Sequence, residues 1–125
     1  MKINYADGNI TVDTESIEEF FVGTGQILHA IINNIHPAAM ETVLHVFVYG
    51  RREKYAPMMK GGDTYLEVAK LDQENFVIDT DGDEGANLID HIIILREALV
   101  QVIGNATKAH QAAIDIAEVV QEENK

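Results

Sequence analysis

Ten positions in the last third of the chain, Leu88, Ile92, Leu95, Leu99, Val102, Ala106, Ala109, Ala113, Ile116 and Val120, recur at alternating steps of four and three, and all are apolar. This is a heptad seam. The spacing predicts one helix over 88–120, which would span roughly 50 Å at about 1.5 Å per residue and so outreach a small domain. A helix of that length calls for a partner chain. The flanking positions Ile89, Ala98, Ile103, Ala112, Ala117 and Val119 are small or apolar, so the stripe is wide and suits a bundle rather than a two-stranded zipper. An oligomer interface is therefore expected at Leu88, Ile92, Leu95, Leu99, Val102 and Ile116. Gly104-Asn105 is the weak point, because Gly costs about 1 kcal/mol against Ala within a helix. A helical hairpin broken there is the competing expectation.

Upstream the pattern changes period. Ile3, Tyr5, Ile10 and Val12 alternate on either side of Asp7-Gly8, which predicts a β-hairpin over 2–13 with a type I′ turn. Thr14 or Ser16 then caps a helix whose first turn holds Glu15, Glu18 and Glu19, favourable at the positive end of the helix dipole. Gly23-Thr24-Gly25 is expected to interrupt it. Apolar spacing resumes at Ile27, Leu28, Ile31, Ile32 and Ile35, and His36-Pro37 closes that segment and opens the next. From Ala38 to about Arg52 a helix is favoured, although Val43 to Tyr49 is rich in β-branched and aromatic residues and a strand competes. After the Pro57 to Gly62 breaker, 65–71 and 75–79 predict a second hairpin. The resulting fold class is α+β and mostly helical, with two short β-hairpins and a long C-terminal helix or helical hairpin in an oligomeric bundle. Segment 9–14 is similar to 75–80, which raises an internal duplication without establishing one.

Length and charge narrow the picture. The 125 residues fit a single domain, 1–125, with 88–120 as its oligomerisation region. Nine Lys and Arg against 21 Asp and Glu give a formal charge of -12. That balance opposes direct nucleic-acid binding and an anionic membrane surface. No cysteine is present, so disulfides and thiolate zinc sites are excluded. Neither a signal-peptide run nor a membrane-length apolar run occurs, and a cytoplasmic protein is expected.

Three groups of residues bear on chemistry. Asp79, Asp81, Asp83 and Asp90 stand at relative positions one, three, five and twelve, which resembles an EF-hand loop and raises a calcium ion as cofactor. Glu84 in place of the turn glycine, Asp90 in place of the longer Glu, and an entering strand all depart from that pattern. A turn followed by a helix cap is the favoured reading, and no cofactor is expected. In a chain of net -12, Arg51, Arg52, Lys54 and Lys60 fall within ten positions beside Tyr49 and Tyr55. Guanidinium groups fork phosphate or carboxylate and a Tyr ring can stack on a base, so these six are the candidate ligand-binding residues. The competing reading is a solvated, dipole-complementing helix end. Five histidines show no metal-ligand spacing, and Asp90-His91 are adjacent on a helix and diverge. Glu15 and Glu18 form a lone ExxE. No catalytic residues are therefore assigned, and an enzyme is not expected.

These observations predict a non-enzymatic oligomeric binding module that sequesters a small anionic ligand, such as a nucleotide signal. Its small size and acidity fit an accessory protein of a phage or mobile element. The alternative is an acidic inhibitor or adaptor that imitates nucleic acid and blocks a basic protein partner, since residues 63–90 carry nine acids against Lys70 alone. A calcium-binding module stands third.

Overall fold

The computed structural model describes residues 1–50, 62–70, 76–80 and 88–123. The first hairpin joins β1 (Lys2–Ala6) to β2 (Asn9–Asp13), with Ala6 opposite Asn9. Asp7 and Gly8 between them have φ of 53° and 79°, the left-handed pair that a two-residue type I′ turn requires. The second hairpin pairs β3 (Thr64–Lys70) with β4 (Phe76–Thr80). Antiparallel pairing of β1 with β3 merges the two into one four-stranded sheet of order β2-β1-β3-β4. Alternation puts Ile3 and Leu66, directly opposite each other, on the face toward the helices, where both are buried.

Helix α1 (Ile17–Asn33) begins at Ser16, whose Oγ accepts from the Glu19 backbone N–H at 3.0 Å. Glu19 returns the favour by accepting from the Glu15 N–H, so the capping predicted from Ser16 is present. The helix runs unbroken through Gly23-Thr24-Gly25, contrary to the expected interruption. Gly23 is there to make room, because Met1 packs across it. A Cβ at that position would lie 2.6 Å from the Met1 Cε. After Asn34, which caps α1, Pro37–Ala39 forms a short 3-10 turn and leads into α2 (Met40–Tyr49). The ambiguous β-branched segment is thus helical. Val43, Leu44, Val46 and Phe47 all enter the core, and this shared burial outweighs their strand preference.

The continuous C-terminal helix is not formed. Helix α3 (Leu88–Ile103) stops at Gly104, whose φ of 73° is left-handed, and α4 (Ala106–Glu123) starts beyond Asn105. The Asn105 Oδ1 accepts from the Lys108 N–H at 2.9 Å and caps α4. A heptad seam does not distinguish one long helix from two that fold onto each other, and the Gly-Asn pair decides for the hairpin. The interface expectation changes with it. Ile92, Leu95 and Leu99 are fully buried within one chain, while Leu88, Val102 and Ile116 pack against the same core. The protomer's own helices thus cover the middle of the seam, while Ala106 is exposed and Leu88, Val102 and Ile116 are half-buried. Ala109, Ala113 and Ala117 let α4 pack against α1, α2 and α3.

The order of elements repeats, a hairpin followed by two helices, twice. The packing crosses between the repeats: α1 lies against β3 and β4, whereas α3 lies against β2 and β1. Likewise α1 packs on α4 and α2 on α3. No helix among the described residues is long and apolar enough to cross a membrane.

Candidate ligand site

Around the last turn of α2 stand three rings and one guanidinium, drawn from α2, α3 and α4. Tyr49 stands 51% exposed there. His45, one turn earlier on the same helix face, lies 4.6 Å from it between ring centroids. His110 approaches from α4, with its ring 5.6 Å from that of Tyr49. Helix α3 supplies Arg96, whose Nε donates to the Val48 carbonyl at 3.2 Å. The same carbonyl lies 3.1 Å from the His110 Nδ1. A carbonyl oxygen can only accept, so that Nδ1 carries a proton, and Nε2 of a neutral ring is left as an acceptor.

Two consequences follow for the local field. The C-terminus of a helix carries about half a negative charge and ordinarily repels anions. The full positive charge of Arg96, within hydrogen-bond distance of a terminal carbonyl, reverses that sign. Burial pushes the Arg96 pKa below its ordinary value, without threatening protonation at neutral pH. Its terminal amino groups make no further hydrogen bond or ion pair among the described residues. Gly50, with φ of 76°, ends α2 against the Arg96 stem, a Cβ there coming within 3.8 Å of Cγ.

Of the six residues expected to bind an anion, Tyr49 occupies this site. Arg51, Arg52, Lys54, Tyr55 and Lys60 lie outside the described residues, with Arg51 next in sequence to Gly50. Arg96, His45 and His110 were missed in sequence. The spacing of His45 to Tyr49 is the one local signal that could have joined two of the group, because residues four apart share a helix face.

The acidic segment is only partly described. Asp79 is exposed on β4 and accepts from the Tyr65 hydroxyl at 3.0 Å, while Asp90 is 2% exposed in the first turn of α3. Asp81 and Asp83 lie outside the described residues. Among the described residues no three His, Asp or Glu side chains are grouped to hold a metal ion. His91, buried beside Asp90, lies with Nε2 3.2 Å from the Thr64 Oγ1 and 3.3 Å from the Thr80 Oγ1, and so ties α3 to the sheet.

Between α1 and α4 lies an apolar groove of about 630 Å³, walled by Phe21, Val22, Ile116 and Val119. Neither a family model, a curated protein nor a solved structure matches the chain.

Proposed function

We propose that the protein is a non-enzymatic binding module that holds a small anionic ligand bearing an aromatic base, a nucleotide by chemical class, at the C-terminal end of α2. The observation that carries this reading is Arg96: in a chain of net -12, its guanidinium has no carboxylate partner among the described residues and stands at the end of the helix that presents Tyr49. Tyr49 offers a ring face for stacking. Arg96 offers two further amino groups for a phosphate, and Arg51 and Arg52 follow α2 in sequence to add charge.

Titration with mono-, di- and cyclic oligonucleotides tests the proposal. At least one should bind with an affinity that falls as salt rises. Tyr49→Ala should weaken it about tenfold, in keeping with stacking worth about 1–3 kcal/mol per base, and Arg51→Ala with Arg52→Ala should abolish it. Failure of every member of the panel would refute the reading.

A further inference from the structure

The groove between α1 and α4 has a chemistry unlike the rest of the surface. Val22 is 61% exposed and Val119 54%, facing solvent across the groove from the two helices. Isolated exposed valines need no explanation, but two facing each other over an apolar cleft mark a contact surface. Around this apolar floor the full charges of the described residues are of one sign. Glu18 lies one turn before Val22 on the same face of α1, and Asp115 and Glu123 of α4 line the groove itself. Helix α1 contains no Lys or Arg, and α4 contains only Lys108, in its first turn. His29, 3.3 Å from Glu123, closes one end.

We infer that this groove is a docking site for a basic amphipathic helix of another protein, apolar along one stripe and flanked by Lys or Arg. The apolar walls require a stripe spaced at i, i+3, i+4 and i+7, the pattern by which a helix fills a groove between two others. The rim selects the sign of the flanks. A second copy of this chain is the wrong occupant, because apposing two such faces would bring the α4 carboxylates of one copy against those of the other. A basic helix instead gains from each rim carboxylate, and from the overall -12 charge during approach. This surface is separate from the proposed ligand site and does not depend on it.

The test uses the full chain and three labelled synthetic peptides followed by fluorescence anisotropy: a helix-forming Leu/Lys peptide with Leu at the stripe positions, a scramble of it with equal charge, and a Leu/Glu counterpart. The Leu/Lys peptide should bind at least tenfold more tightly than the scramble, and the Leu/Glu peptide should not bind. Val22→Asp with Val119→Asp should reduce the affinity at least tenfold. Because both side chains are largely exposed, the melting temperature should hold. Asp115→Lys with Glu123→Lys, two exposed positions that line the groove, should weaken binding several-fold and decides the matter if the first variant does not fold. Equal binding of peptide and scramble, or parent-like affinity in the variants, would overturn the inference. So would a dimer of the parent that Val22→Asp with Val119→Asp disperses, since the groove would then belong to a second copy.

Discussion

Met1 lies across the backbone of Gly23, its Cε 2.6 Å from the point that a Cβ would occupy. The contact belongs to a larger arrangement in which the Met1 ammonium bonds to the Val68 carbonyl at 3.1 Å and to the Glu19 carboxylate at 3.1 Å. Gly23→Ala sets a helix-propensity gain of about 1 kcal/mol against displacement of one methyl group, so a net change within about 1 kcal/mol is expected in urea denaturation. Gly23→Leu must displace the Met1 stem as well, whose Cβ and Cγ lie 3.6 Å from the same point, and should destabilise by about 1–3 kcal/mol.

Glu19 serves the cap and the terminus together. Glu19→Ala removes an acceptor for the Glu15 N–H and the carboxylate beside the Met1 ammonium, and should cost about 1–2 kcal/mol. Ser16→Ala, which removes only the cap hydroxyl, should cost about 1 kcal/mol. The double variant is expected to fall short of the sum, because both substitutions dismantle one cap.

Thr24 is fully buried, and its Oγ1 has no hydrogen-bond partner among the described residues. A buried hydroxyl without a partner carries a desolvation penalty that a methyl group of similar shape does not. Thr24→Val should therefore raise stability by about 1 kcal/mol, measurable as a higher urea midpoint with an unchanged slope.

Gly104 has open space around its Cβ position, so its role is conformational. Gly104→Ala should cost about 1 kcal/mol through its left-handed φ alone, and Gly104→Asn less. If α3 and α4 instead formed one straight helix, Gly104→Ala would stabilise the protein, so the sign of the change discriminates between the two.

Leu99→Ala should cost about 2–5 kcal/mol, as expected for a side chain sealed in the core. Tyr49→Ala, at an exposed helix end, should stay within about 0.5–1 kcal/mol and so leaves a folded protein for the binding test.

The parts that could be read from sequence are those fixed by local backbone chemistry. Asp7-Gly8 specifies its turn by itself, Ser16 with Glu19 specifies a cap, and the hairpin at 64–80 follows from alternation between breakers. What escaped depends on residues far apart in the chain. Gly23 is indistinguishable from a helix breaker until Met1 is seen against it. The seam from Leu88 to Val120 has the same periodicity whether it meets another chain or folds onto its own. The candidate site combines α2, α3 and α4, and nothing in the spacing of His45, Arg96 and His110 announces that Val48 will sit between two of them.

The crossed packing of the two repeats has a consequence for how the chain folds. Each hairpin is covered by the leading helix of the opposite repeat, and the strands that join them, β1 and β3, come from distant parts of the sequence, with Met1 and Val68 paired across 67 positions. Closing a loop of that size costs roughly 4 kcal/mol of chain entropy before any contact across it forms. A lone two-stranded hairpin is marginal in water and cannot hold its place while waiting. Neither repeat therefore owns a complete core. The molecule is a pair of interlocked halves that order together, joined across the sheet where Ile3 faces Leu66.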